Sequence, residues 1–204
     1  MHMQMGMSGM TALRRLSGRA FDVAFLSQMM EHHQGAVDMT RDALPTLKNA
    51  HVQKHAQNII GDQRKEIAEM RAILRRGFKT QPTQAQMNLM KHDMHAMMAM
   101  KSDGDRMFLQ MMIPHHRGAN EMSRLALVKS RNPKVRSLAN RIFKAQTAEI
   151  ADFQRLLQSG ALAAAAAATY RCPTCKMTFS AADAKKMNYQ CSMKDGKLVA
   201  VPNR

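Results

Sequence analysis

Apolar residues recur every three or four positions along most of the chain, which is the spacing of one face of an α-helix. The first such stretch begins at Phe21 and ends before Pro45. Proline lacks a backbone hydrogen-bond donor and therefore tends to end a helix. The same analysis predicts five helices, at residues 21–44, about 46–76, 87–101, about 105–130 and about 134–158.

The hydrophobic pattern occurs twice in the chain. Segment 25–39 returns as segment 108–122, 83 residues later, and Val52 corresponds in the same phase to Val135. A repeat at a fixed spacing indicates two copies of one structural unit. Four long amphipathic helices, arranged as two repeated pairs, predict an all-α fold: a ferritin-like four-helix bundle with a pseudo-twofold axis.

The amino-acid composition differs before and after the repeat, and these differences divide the chain into four predicted segments. The bundle is expected at residues 21–158, after a Met-rich N-terminal tail at residues 1–20. An Ala-rich linker follows at residues 159–169, and alanine favours a semi-rigid helical spacer. Residues 170–204 contain all three cysteines of the chain, so no disulfide framework holds the bundle. We expect this last segment to form a small Cys-containing ribbon.

The chain is strongly basic, with 31 Lys and Arg against 15 Asp and Glu and a formal net charge of +16. Such a charge fits an acidic partner, either nucleic acid or an anionic membrane surface. The basic residues are scattered over helix faces and form no long run, which favours a solvated exterior and disfavours nucleic acid. No run of about 18 apolar residues predicts a membrane span, and residues 1–20 lack the apolar stretch of a secretory signal.

Each repeat carries two adjacent histidines on its apolar side. His32 lies on the central apolar stripe of the first helix, and His33 lies on the neighbouring stripe. Imidazole and methionine thioether together suit Cu(I), and imidazole also suits Cu(II) or zinc. The chain has 22 methionines, several of them one or two helical turns from these histidines. The candidate copper ligands are Met29, His32, His33 and Met39 in the first repeat, and Met112, His115, His116 and Met122 in the second.

The second helix of each pair carries a glutamate beside its apolar stripe. These residues are Glu66 and Glu149. An unpaired carboxylate in a core costs several kcal/mol, so an inward glutamate needs a metal or a cationic partner. Two interpretations remain open: a ligand or acceptor that orients a histidine ring, and a residue at the stripe edge that reaches solvent.

Two further segments contain candidate metal ligands. The helix predicted at 87–101 has a methionine face flanked by histidines, and its candidate soft-metal ligands are Met94, His95 and Met97. The C-terminal segment has a Cys-x2-Cys knuckle, Cys172 and Cys175, followed by Cys191. Four cysteines in this arrangement predict zinc, but Lys194 stands at the fourth position. Zinc therefore remains a possible cofactor of this segment, and a ribbon without metal is the alternative.

Segments 25–39 and 108–122 resemble the signature of the ferritin-like family called domain of unknown function 305. Its helix motif is Phe-x-x-x-Met-x-x-His-His-x-x-Ala-x-x-Met, and the following helix carries Gln-x-x-Glu-Ile, as at residues 63–67 and 146–150. The resemblance covers about residues 5–158. It implies a four-helix bundle, an extracytoplasmic location, copper binding and copper tolerance. Glu31 departs from the usual proline, which the second repeat keeps as Pro114, so the two sites need not be equivalent.

These observations predict a copper-binding protein, located in the periplasm or otherwise outside the cytoplasm, that sequesters or transfers Cu(I) without catalysis. A copper-transfer protein is a possible partner. No nucleophile with its base, phosphate loop or cofactor fingerprint is present. The alternatives are a ferritin-like metal-dependent oxidase, which needs carboxylates from all four helices, and a basic nucleic-acid-binding protein with a zinc ribbon.

Overall fold

The computed structural model describes residues 8–99, 104–160, 162, 169–173, 178–180, 184–185, 189–190 and 197–201. In this part of the chain the structure is dominated by six α-helices, which confirms the predicted all-α fold. Their bounds are α1 Ser8–Arg15, α2 Gly18–Ala43, α3 Ala50–Ala72, α4 Gln84–Met98, α5 Asp105–Lys129 and α6 Pro133–Gln158.

The bundle consists of the two repeated helix pairs, α2 with α3 and α5 with α6. Helices α2 and α5 pack against each other in opposite directions. Lys129, the last residue of α5, lies with its Nζ 5.7 Å from the ring centroid of Phe21 near the start of α2. The middles of these two helices therefore meet at the centre of the bundle, where both histidine pairs lie.

An asparagine at the same position of each repeat starts the second helix of the pair. Asn49 accepts hydrogen bonds from the backbone N–H groups of His51 and Val52, and Asn132 does the same for Lys134 and Val135. Such caps satisfy backbone donors that a helix start leaves unpaired. The prediction that the second helix begins at about residue 46 is wrong, because Leu44–Thr46 forms a separate 3-10 turn. At the other end, a π-helical turn, Ile73–Gly77, extends α3.

Helix α1 lies within the segment that the sequence analysis assigned to the Met-rich tail. It is held by the backbone N–H of Gly9, which donates to Oδ2 of Asp93 on α4 at 2.7 Å. A Cβ at residue 9 would lie 2.8 Å from Oε1 of Gln28 on α2, so any larger residue here would have to displace the end of that side chain. Helix α4 in turn packs along α2. Helices α1 and α4 thus cover one face of α2.

Two buried hydrophobic clusters lie on either side of the histidines. The first contains residues from the start of α2 and the end of α5, and the second contains residues from the end of α2 and the start of α5. Phe25 and Met122 belong to the first cluster, and Met39 and Phe108 to the second. The histidine pairs lie between these stretches on both helices, so they form a polar layer inside the core.

The described part of the C-terminal segment forms a small antiparallel sheet with the strand order β2-β1-β3. The strands are β1 Thr169–Arg171, β2 Thr178–Ser180 and β3 Val199–Val201. Cys172 is buried beside β1, whereas Cys175 and Cys191 lie outside the described residues. The zinc site in this segment stays a prediction. None of the described helices is both long and apolar enough to span a membrane.

Candidate metal centre

The four repeated histidines are completely buried, with relative exposures of 0% for His32, His33, His115 and His116. Adjacent residues on a helix point about 100° apart, so the two histidines of each pair meet different neighbours. His32 contacts its counterpart on α5, and His33 contacts α3. The second repeat places His115 against α2 and His116 against α6 in the same way.

The inner pair, His32 and His115, meets at the centre of the bundle with ring centroids 3.8 Å apart and an interplanar angle of 42°. Nε2 of His115 lies 3.1 Å from the backbone oxygen of His32. Because a carbonyl oxygen only accepts hydrogen bonds, Nε2 carries the hydrogen and donates it. Nδ1 of His115 is then the unprotonated nitrogen, and its lone pair is available to bind a metal ion.

The outer pair, His33 and His116, is oriented by the two glutamates. Nε2 of His33 donates to Oε2 of Glu66 at 2.8 Å. Nε2 of His116 lies 2.9 Å from Oε2 of Glu149, but this contact lacks the alignment of a hydrogen bond. Carboxylates of this kind fix the tautomer and orientation of metal-binding histidines. Both glutamates are mostly buried, at 20% and 23% side-chain exposure, so the geometry favours the orienting role over solvent contact.

Several ring nitrogens in this layer have no hydrogen-bond partner in the protein. They are Nδ1 of all four histidines and Nε2 of His32. Nε2 of His116 is also unpaired, because its contact with Glu149 is not aligned as a hydrogen bond. A buried polar atom without a partner costs about 1–3 kcal/mol. Unpaired nitrogens that are repeated in phase therefore point to a ligand rather than to a packing defect.

Burial lowers the pKa of His32 and the pKa of His115 well below the ordinary value of 6.5. Neighbouring histidines lower both pKa values further, because a second positive charge in the same layer is unfavourable. Both rings are consequently neutral at physiological pH. Metal ions bind the neutral form of imidazole, so no proton has to leave these rings before a metal binds.

Methionines supply the soft atoms near this layer. Met29 and Met112, each three residues before the first histidine of its pair, are completely buried, and Met39 and Met122 are buried at 7% and 1% exposure. Among the described residues, no three His, Cys, Asp or Glu side chains converge to hold a metal ion. The side chains that border the histidine layer therefore offer thioether sulfur beside imidazole nitrogen, and both are donors for soft metal ions.

The remaining predicted ligands are only partly brought to this layer. Met94 is buried in the same hydrophobic cluster as Met29, whereas its neighbour His95 is exposed. The side chain of Met97 lies outside the described residues. Sequence reasoning rated His51 and His55 low, because neither has a counterpart in the second repeat. The ring of His55 packs edge-on against Phe153, a residue that also contacts the ring of His116. The available signal was its spacing of four residues from His51.

The sequence and the structure both have relatives. The family model described as "Domain of unknown function (DUF305)" matches residues 1–74, 75–157 and 105–197. No curated protein matches the chain. Solved structures of CopM are similar: its Cu(II)-bound form has 32% identity and a TM-score of 0.57 over 68% of this chain and 97% of that chain. Its Cu(I)-bound form has 32% identity and a TM-score of 0.58 over 68% and 96%.

A DUF305 fragment from Deinococcus radiodurans is also similar in structure. It has 26% identity and a TM-score of 0.56, over 68% of this chain and 95% of that chain. The matched proteins are covered almost completely, and they support the predicted bundle. About one third of the present chain lies outside these structural matches.

Proposed function

Because the chain belongs to the family described as domain of unknown function 305, we propose that it binds copper, preferentially Cu(I), in its buried histidine layer. The observation that carries this proposal is the set of unpaired ring nitrogens inside a methionine-rich core. CopM, which is 32% identical, has been solved with Cu(I) and Cu(II), and this relationship supports a copper-related role.

The ligand roles follow from the positions of the side chains. The rings of His32 and His115 occupy the same position of the two repeats, meet with centroids 3.8 Å apart and are the central ligands. His33 and His116 flank them, and Glu66 and Glu149 orient these outer rings. The thioether ligands are Met29, Met39, Met112 and Met122, each buried in the clusters that border the layer.

The protein's role is to sequester or pass on Cu(I) and so to contribute to copper tolerance, with no catalytic step assigned. A dinuclear oxidase is less well supported, because its carboxylate ligands come from all four helices. Here Glu66 and Glu149 contact histidine rings, and α2 and α5 contribute histidines at the layer. A copper-transfer protein is the corresponding partner. The nucleic-acid-binding alternative is also less well supported, because it does not account for the buried, unpaired ring nitrogens.

We place the protein outside the cytoplasm, in the periplasm or an equivalent space. Thioethers bind Cu(I) without losing a proton and do not form disulfides, so methionine sites keep their donors in an oxidising compartment. Residues 1–158 contain 19 Met but no Cys. This composition is what an oxidising location favours.

The proposal is tested by anaerobic Cu(I) titration against a competing chelator, with copper counted per chain. The variant with His32, His33, His115 and His116 all changed to Ala should bind fewer Cu(I) ions than the parent, because the central ligands are removed. Its helical circular dichroism should remain. The control is His92→Ala, which removes a surface histidine that is 84% exposed. If the fourfold variant keeps the parent's copper count, the layer is not the site.

The orienting glutamates give a graded prediction. Glu66→Gln should weaken Cu(I) binding about 10- to 100-fold, because the carboxylate no longer holds the ring of His33. Glu149→Gln should have a smaller effect, because its contact with His116 is not aligned as a hydrogen bond. Competition titrations of the two variants measure the difference. Equal affinities in both variants and the parent would show that neither glutamate acts on the metal.

A further inference from the structure

We propose that His51, His55 and Asp152 form a second, more exposed metal site for a divalent cation of borderline softness, either Cu(II) or zinc. The three side chains do not converge on one point in the structure, and the exposed ring of His51 has to turn toward the other two to complete the site. The site lies where the start of α3 faces the end of α6. It is separate from the buried layer and uses none of the ligands assigned there. Imidazole nitrogen and carboxylate oxygen are the donors that these two ions accept.

The two histidines are arranged as a chelating pair. His51 and His55 are four residues apart on α3, so their side chains lie on the same face of the helix, and their ring centroids are 4.9 Å apart. A pair of histidines with this spacing on a helix is a known way to bind zinc. His51 is exposed and its ring is free to turn toward an ion. His55 is partly buried and fixed by its contact with Phe153.

Asp152 on α6 supplies an oxygen on the other side of the site. Its Oδ2 lies 3.9 Å from Nε2 of His55, a buried atom with no hydrogen-bond partner. Two metal bonds of about 2.0–2.2 Å span such a separation. The other oxygen, Oδ1, pairs with Arg155, which leaves Oδ2 facing His55. Burial, and then the nearby His51, lower the pKa of His55, so this ring is neutral and ready to bind.

The repeat shows that this arrangement is not a general feature of the bundle. The positions equivalent to His51 and His55 are Lys134 and Leu138, and Glu69 is equivalent to Asp152. At this equivalent position, where the end of α3 faces α6, Glu69 forms an ion pair with the guanidinium of Arg141. One end of the α3–α6 contact therefore has two imidazoles beside a carboxylate, and the other has cationic side chains that repel a metal ion.

The proposed site also lies next to the buried layer. Phe153 contacts His55 on one side and His116 on the other, with ring-centroid distances of 5.1 Å and 5.6 Å. Glu149, one turn before Phe153 on α6, lies 2.9 Å from His116. If the proposed function holds, the outer site stands on the path by which copper enters at His116. The outer site itself does not depend on that function.

The test is a Cu(II) competition titration of the full chain in air, repeated with zinc. His51→Gln removes an exposed ligand and should lower affinity by at least about 10- to 100-fold, the loss that follows even when a group that merely orients a ligand is removed. Asp152→Asn should act in the same direction. The matched control is Lys134→Gln, the equivalent position of the other repeat, which should leave Cu(II) binding unchanged. Nitrogen hyperfine structure in the electron paramagnetic resonance spectrum should weaken only in His51→Gln.

Anaerobic Cu(I) counts on the same variants separate the two proposals. The outer-site variants should keep the parent's Cu(I) count, because the buried layer is intact. If the parent fails to bind Cu(I) but His51→Gln still loses Cu(II), the proposed function is wrong and the outer site stands. Parent-like Cu(II) binding in both His51→Gln and Asp152→Asn would overturn the outer site, as would an equal loss in Lys134→Gln.

Discussion

Acid is expected to destabilise the metal-free protein steeply once the pH falls below the ordinary histidine pKa of 6.5. In the unfolded chain the two inner rings take up protons near that value. In the folded protein the pKa values of His32 and His115 are lowered, so both rings stay neutral. The unfolded state then binds more protons, and stability falls with pH by about 1.4 kcal/mol per unit for each ring. A pair of rings gives about 3 kcal/mol per unit, a large part of the stability of an ordinary domain.

The direction of this effect follows from the sign of each shift. The contribution of the two rings is fully present above pH 6.5 and is lost as the pH falls toward their lowered folded-state pKa values. The pKa of His55 is also lowered, by partial burial, and adds in the same direction. Burial raises the pKa of Asp22 and of Glu31, which acts in the opposite direction nearer their ordinary values of 3.8 and 4.5. The slope should therefore be measured in the first pH unit below 6.5.

The measurement is urea unfolding of the metal-free protein at several pH values, followed by circular dichroism. Saturating Cu(I) should raise the free energy of unfolding at each of these pH values and leave its slope with pH unchanged, because the metal binds the folded protein, whose inner rings are already neutral. A free energy of unfolding that stays constant from pH 7 to pH 5.5 would contradict the assignment of neutral, buried rings.

Replacing the inner pair by leucine is expected to stabilise the metal-free protein while removing the proposed copper site. The double variant His32→Leu, His115→Leu deletes three ring nitrogens that have no partner in the protein. Each unpaired buried group costs about 1–3 kcal/mol, so removing the three should raise the free energy of unfolding at pH 7 by about 3–9 kcal/mol before any cavity cost is subtracted. Leucine also fills most of the volume of the ring, which limits the cavity cost. Cu(I) affinity should fall at the same time, because the central ligands are gone.

The matched control is Thr40→Val with Ser123→Ala. Both hydroxyls are completely buried and unpaired, so this pair should also stabilise the protein, but it should leave Cu(I) binding unchanged. The acid sensitivity that comes from the inner rings should disappear only in the leucine variant, which keeps the smaller contribution of His55. A leucine variant that is less stable than the parent, and equally sensitive to acid, would mean that the rings contribute favourable contacts that the structure does not assign to them.

The helices that form the bundle were predictable because each presents a long periodic face. Helix α5, Asp105–Lys129, and helix α6, Pro133–Gln158, end within one residue of the predictions at 105–130 and 134–158. Helix α1, Ser8–Arg15, was not predicted, since eight residues contain too few periodic positions and the helix is fixed by contacts with α2 and α4. Such contacts join residues far apart in sequence, which a local pattern does not contain.

The site was predictable to the level of residue type, and its internal geometry was not. The repeat identified both histidine pairs, because adjacent histidines on an apolar face are costly to bury and recur in phase. It left the role of Glu66 and Glu149 open, because a small rotation of the helix about its axis decides whether a residue at the edge of the apolar stripe faces the core or solvent. The structure brings both carboxylates to histidine rings. His51 and His55 lack counterparts in the second repeat, so repetition gave no signal for them.

The meeting of His32 with His115 at 3.8 Å bears on how this molecule arose. The two rings are the same position of the two repeats and face each other directly. A single-copy ancestor, one helical hairpin with one histidine pair, would have buried its apolar face by forming a homodimer with the metal between identical subunits. Duplication of that one gene and fusion of the two copies would then have released each half from the need to remain identical. The exchange of Pro114 for Glu31, and of Lys134 for His51, is the divergence that such a release permits.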